Sequence, residues 1–347
     1  MATAPPDAQA QARANIADFR LSVDGQDFSD KAKPRLVSLT LTDERAGEAD
    51  QLDIVLDDSD GKLALPKKGA QITLQLGWKQ GMDVTPGLID KGKFTVDQVD
   101  WGGPADQVTI RARSADLTGS FRKRREDKHK DTTLGDLARK VAGRNGLTAK
   151  VSPELEDIEI KVLSQHQKSD MALLRQLGRE HDAVATVKDG KLLLTPIGKS
   201  QSAGGKALPT LELAKAQLAG YRYNETERSG EAGVEARWHD QASGTRKTVT
   251  IGGGSDAKGK PRRMRRVYHT EAKARAAAEA EAKRAKRAEA TLDLTLGLGR
   301  PDLIPEQPVK VSGLKSTIDE QSWLIASLTH TLDSSGLATR IKLEVKG

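Results

Sequence analysis

Apolar and polar positions alternate through the first third of the chain. Leu52, Ile54 and Leu56 form one such set, Ile72, Leu74, Leu76 and Trp78 a second, and Val108, Ile110 and Ala112 a third. A period of two means one buried face and one wet face, the signature of a strand. Turn residues punctuate these runs at Asp60-Gly61, Pro66, Gly69, Pro86-Gly87 and Gly102-Gly103-Pro104. The spacing predicts short antiparallel strands in a barrel or sandwich.

Near Asp116 the period changes. After a charged run from Arg122 to Lys130, Leu134, Leu137, Ala138, Val141 and Ala142 make a helical stripe. Thr133 is the expected N-cap, with Asp136 three residues on, and Asn145-Gly146 the stop. A second helix is predicted from Ser169, with Leu173, Leu174 and Leu177 inward. The Asp189-Gly190 pair between apolar runs predicts a hairpin. This stretch reads as a small α/β domain over 118–198, followed by a linker over 199–207.

The last third returns to alternation, at Val234, Ala236 and Trp238, then Leu292 to Leu298, then Ile341, Leu343 and Val345. Between them an Ala-rich segment over 271–290 predicts a helix with almost no large apolar side chain. At about 1.5 Å per residue it would span roughly 30 Å. It must approach a neighbour through alanine or stand in solvent. Ala278 and Ala282 are therefore candidates for a subunit interface, since alanine allows close approach.

Four elements recur in the same order. Phe94, Val96 and Val99 share their spacing with Trp323, Ile325 and Leu328. Each set precedes an alternating strand, Val108 to Ala112 in one and Ile341 to Val345 in the other. Upstream, Pro66 and Ile72 match Pro305 and Val309, and the Leu52 strand matches the Leu292 strand. This order points to an internal duplication. The resulting fold class is mainly β with α insertions. It comprises two similar antiparallel barrel-like domains (17–117 and 208–347), the small α/β domain and the Ala-rich helix. Residues 1–16 read as a flexible lead-in.

Composition narrows the function. Of 347 residues only 36% are hydrophobic and 3% aromatic, so the cores must be thin and aliphatic. There is no cysteine, which excludes disulfides, thiolate metal sites and a cysteine nucleophile. No apolar run reaches the roughly 18 residues of a membrane helix, so no membrane insertion is expected. The N-terminus lacks the pattern of a secretory signal.

Candidate chemistry is sparse, and neither a metal nor a cofactor is implied. The six histidines are scattered, and Glu180-His181 lacks the second histidine of a zinc-protease helix. No Gly-x-Ser-x-Gly elbow occurs. Asp57-Asp58 sits at a strand end beside a glycine, where turn chemistry explains it better than acid–base catalysis. Gly252-Gly253-Gly254 fails as a phosphate loop because Lys260 precedes Pro261. The residues beyond these glycines read as a flexible basic loop of Lys258, Lys260, Arg262, Arg263, Arg265 and Arg266. Such a loop docks a protein or contacts phosphate, and the second use makes a nucleic-acid-binding protein the rival reading.

The chain resembles the late control D family of contractile phage tail hubs, related to the hub part of type VI spike proteins. The resemblance rests on GEADQLDIVLDDSDG, LPKKGAQITLQLGW, KGKFTVDQVDW, SDMALLRQLGREHDAVATV, VYHTEAKARAAAEAEA and QSWLIASLTHTL with the closing ATRIKLEV. It runs from Phe19 to Val345. It implies a structural protein and not an enzyme, a homotrimer whose paired domains form a pseudo-six-fold ring. The implied partners are tail-tube protein, the central spike and the tape-measure protein, with nonspecific DNA contact in the lumen left open. The expected location is the baseplate of a virion or R-type bacteriocin particle, assembled in the bacterial cytoplasm.

Overall fold

The computed structural model describes residues 14–45, 49–114, 121, 123–188, 190–201, 205–226, 233–253 and 260–346. Strands dominate. Every alternating run of the first third is one: Gln51–Asp57, Gln71–Gln80 and Gln107–Arg113, with Leu52, Leu56, Ile72, Leu74, Leu76 and Ala112 at 1% exposure or less.

The largest sheet contains two sets of six strands with one connectivity. In the first set the spatial order is Leu36–Glu44, Gln51–Asp57, Gln107–Arg113, Gly87–Gly102, Gln71–Gln80, Ile16–Val23. In the second it is Leu218–Glu225, Ala290–Leu296, Gly336–Val345, Trp323–Asp333, Pro308–Ser312, Leu211–Ala214. Ranked along the chain, both orders are second, third, sixth, fifth, fourth, first. The sets differ in their last pairing. Ile16–Val23 runs antiparallel to its neighbour, whereas Leu211–Ala214 runs parallel.

Each set has its own aliphatic core. The first gathers around Leu39, Leu52, Ile54, Ile72, Leu74 and Phe94. The second gathers around Leu292, Leu294, Leu328, Ile341, Leu343 and Trp323. There the Trp323 indole donates to the Ile318 carbonyl at 3.0 Å and meets Tyr223 edge-on at 6.3 Å.

Between the sets lies an α/β unit. Its helices Leu134–Arg144 and Asp170–Glu180 start where the caps place them. Thr133 accepts from the Asp136 N–H and Ser169 from the Ala172 N–H. Gly146 takes the left-handed conformation after the first helix. The hairpin Ala183–Lys188 with Lys191–Pro196 forms around Gly190, with the parallel strand Thr148–Val151 alongside. Asp189 lies outside the described residues. Arg124–Thr133 is a strand paired with Glu159–Ser169, and ladder hydrogen bonds hold it despite its polar composition.

The second set is interrupted between its second and third strands. The insertion carries its own three-stranded sheet, in which Val234–Asp240 lies between Thr245–Ile251 and Arg262–Tyr268. The Val234 strand therefore belongs to this smaller sheet and not to the large one. Helix Glu271–Arg287 covers it. The helix ends three residues before the expected boundary, because Ala290 already pairs with Glu225 in the large sheet.

Candidate assembly interface

The first surface to consider is internal. The two strand sets meet where Leu36–Glu44 pairs antiparallel with Trp323–Asp333. The ladder runs from Ser327 opposite Glu44 to Asp333 opposite Ser38. Leu332 and Leu337 at the far end enter the first core, and the Trp78 indole donates to the Gly299 carbonyl at 3.0 Å. His330 is fully buried at this seam, where its Nδ1 lies 2.9 Å from the Thr339 hydroxyl. Burial, reinforced by the Lys91 ammonium, pushes its imidazole down to about 3, so it stays neutral.

A buried ion-pair network locks the seam to both insertions. Arg45 pairs with Glu344 and lies 3.3 Å from Glu306. Arg287, the last residue of the Ala-rich helix, is 3% exposed, grips Asp182 with both guanidinium nitrogens and reaches Glu344 at 3.3 Å. Asp182 and Glu306 both adopt positive φ, at 49° and 69°. Such backbone costs on the order of 1–3 kcal/mol per residue and persists where surroundings over-determine it, as bidentate and buried pairs do here. On the opposite side Lys188 of the α/β hairpin reaches Asp43 at 2.5 Å and Asp50 at 3.2 Å. Burial and the Asp43 carboxylate push Asp50 up to about 7. Pattern reading missed all of these residues. Arg45 and Glu344 stand 299 positions apart, and a single charge in a strand carries no signal of its partner.

The two sequence-derived candidates fall elsewhere. Ala278 is fully buried, and Ala282 packs against the same cluster of Val234, Ala236 and Tyr268. Their close approach is used inside the chain, and Arg275, Glu279 and Lys283 face outward. The basic segment is not the flexible loop its composition predicts. Arg262–Tyr268 is a strand held by a parallel ladder to Val234–Asp240, with Tyr268 buried against the helix. Arginines at most of its positions leave no apolar period-two run for a pattern search to find. Arg262 pairs with Glu281 at 2.9 Å, Arg263 with Glu235 at 2.7 Å, and Arg266 with Glu180. Lys260 and Arg265 are exposed, and Lys258 lies outside the described residues. Three of its arginines are thus paired with acidic side chains of neighbouring elements.

A cavity of about 760 Å³ separates helices Asp170–Glu180 and Glu271–Arg287. Glu180 in its wall is taken by Arg266 and Gln176, and burial pushes His181 down. Among the described residues no cluster of His, Asp or Glu could hold a metal ion. Asp58 organises a turn, accepting from the Leu63 N–H at 2.9 Å and from the Trp101 indole at 3.1 Å.

The chain is thus a mainly β protein built on two strand sets of one connectivity. The model of the phage tail baseplate hub family matches residues 47–336, and the chain belongs to that family. A probable baseplate hub protein of Escherichia phage 186 is 39% identical over 365 residues, covering 94% of this chain and 92% of its own. Among solved structures, a 43 kDa tail protein of prophage MuSo2 from Shewanella oneidensis superposes with a TM-score of 0.70 at 16% identity, covering 94% and 98% of the two chains. An Escherichia coli component of the type VI secretion system gives 0.56 at 11% identity, covering 93% and 76%. The protein is thus a structural component of the virion, at the baseplate of the tail. No described helix is long and apolar enough to cross a membrane.

Proposed function

We propose that three copies of this chain close into a ring of six similar barrel-like units that joins the tail tube to the central spike. The observation that carries this reading is the repeated strand order, with one seam between the two sets inside each chain. Repeating a single heterologous contact closes a ring when its rotation divides the circle. A ring of three chains and six units then matches a six-fold tube on one face and a three-fold spike on the other.

The units correspond to 17–117 and 208–347, with 118–198 as an appended α/β domain and 199–207 as its linker. Of the expected lead-in, residues 1–13 lie outside the described residues, and Ile16 already pairs with Gln80 in the first strand. The spike partnership draws support from the fold shared with a type VI component, and tape-measure protein is the expected occupant of the bore. The same hub suits a phage or an R-type bacteriocin particle. Function lies in these surfaces, and no residue is assigned a catalytic role. An obligate contact of this kind buries more than roughly 2,000 Å².

The test is the mass of the purified protein in solution, alone and with its cognate spike protein. A trimer in either condition is the expected result. Monomers in both would overturn the ring.

A further inference from the structure

The two strand sets can be equated residue by residue through their ladders. Leu52 lies opposite Ala112 in the first set, and Leu292 opposite Leu343 in the second. Ile54 and Ile110 answer in the same way to Leu294 and Ile341. The bulges coincide as well. The ladder of the second-ranked strand shifts between Leu36 and Ser38 in one set and between Leu218 and Gly220 in the other. The fifth-ranked strand shifts between Val96 and Gln98, and between Ile325 and Ser327. Bulges fix register, so coincidence at both places leaves no room for a slip. Tyr221 is then the counterpart of Leu39, Tyr223 of Leu41, Trp101 of His330 and Asp100 of Thr329.

Burial breaks this symmetry. Leu39 and His330 are fully buried in the internal seam, but their counterparts Tyr221 and Trp101 are 51% and 57% exposed. Both strands also end the ladder. Leu218–Glu225 pairs on one side only, with Ala290–Leu296, and the stretch Gln98–Gly102 pairs only with Gln107–Arg113 among the described residues. One seam of the chain is closed and its two halves recur open, one in each strand set. Open edges carrying half-exposed aromatics invite a strand from elsewhere.

We infer that Leu218–Glu225 of one copy pairs antiparallel with Gln98–Gly102 of the next, in the register of the internal seam. This deepens the ring reading and rests on it, by naming the contact that joins one chain to another. His330 lies opposite Leu41 and Thr329 opposite Thr42 within the chain. By equivalence Trp101 lies opposite Tyr223 of the next copy, and Asp100 opposite its Asn224. Arg222 falls opposite Gly102, on the diagonal of Asp100 and on the same face, where opposite charges attract. Aromatic pairing at Trp101 and Tyr223 replaces the aliphatic packing of the internal seam. The contact is heterologous, since each copy offers one edge of each kind, so it propagates from copy to copy until the rotation closes the ring.

The absence of native cysteine makes the register directly readable. Directly opposite residues in an antiparallel ladder have Cα atoms about 4.5–5.5 Å apart, within disulfide reach. The double variant D100C/N224C, oxidised mildly with and without the spike protein, should give covalent dimers and trimers on non-reducing electrophoresis. D100C and N224C alone should give neither, and Q98C/N224C, out of register by two, should cross-link far less. Cross-linking of a single variant as strongly as of the double would mean like edges meet, and would overturn the inference. A trimer by mass with no in-register cross-link would overturn the edge pairing and leave the ring standing. Monomers by mass in both conditions would remove both.

Discussion

The internal seam and the open edges are the same structure in two environments. Leu36–Glu44 and Leu218–Glu225 occupy one position in a shared connectivity, with a bulge at the same step. The first alternates buried and half-buried residues; the second leaves most of its residues exposed. The difference is not in propensity, since both form strands of similar length. What differs is the neighbour. The seam shows what this edge looks like when covered: leucines at the core positions, threonines opposite threonines on the other face, and a buried network of charge at the strand end. The open edge carries tyrosines and Arg222 instead, residues that tolerate water before assembly and bury well after it.

The sharpest way to break the closed seam is to remove one charge from its buried network. Arg45→Ala leaves Glu306 without its arginine and Glu344 with Arg287 alone, and Arg287→Ala leaves Asp182 without its arginine and Glu344 with Arg45 alone. Breaking a buried pair from one side costs about 3–5 kcal/mol. Each variant should lose that amount in chemical denaturation, whereas Arg222→Ala, on the open edge, should change the monomer little. Equal effects at Arg45 and Arg222 would show that the seam is no more locked than the edge. The next effect down compares counterparts. Leu39→Ala removes a fully buried side chain and should cost about 2–5 kcal/mol. Tyr221→Ala should cost the isolated monomer less than about 1 kcal/mol, the scale of an exposed contact with Lys215, yet weaken trimer formation. A Tyr221→Ala protein that trimerises normally would argue that this edge stays open in the ring.

Much of this comparison was legible in the chain. Strands with period-two alternation and helices with caps declare themselves through local chemistry, so Leu52 to Leu56, Thr133 and Ser169 read correctly. The duplication was legible because it repeats spacing, although the ladders align Ile110 with Ile341 and Val108 with Thr339, one alternation earlier than the apolar run suggests. Three things were not legible. The strand Arg124–Thr133 is charged at most positions, and only its ladder with Glu159–Ser169 makes it a strand. The strand Arg262–Tyr268 is mostly arginine and shows no period-two apolar run, and the partners of Arg262 and Arg266 lie on other elements. The Ala-rich helix offered no large anchor, and its anchor proved to be Arg287, a residue type that pattern reading assigns to solvent.

The smallest predicted effect is the pH dependence contributed by the closed seam, where two groups titrate with opposite sign. Asp50 is held at about 7 against an unfolded value near 3.9. Between those limits the folded state holds the proton that the unfolded state has lost, so stability falls as pH rises through that window. His330 is held at about 3 against an unfolded value near 6.5. There the unfolded state gains a proton that the folded state refuses, so stability falls as pH drops below that unfolded value. The arms overlap and partly cancel, with Lys188 and Asp43 around Asp50, and Lys91, Asp43 and Asp302 around His330. Glu306, also pushed up by burial, adds to the arm of Asp50. Separate variants uncover the two. In Asp50→Asn the melting temperature should decline less between pH 5 and about 8 than in the parent. In His330→Gln it should decline less between about pH 6 and 4. Trp101, the counterpart of His330, has no group that titrates in this range, so a seam between copies built on it should respond to pH through neither arm. Trimer dissociation that follows the His330 or Asp50 arm would place the titrating seam between chains, and the equivalence of the two edges would fail.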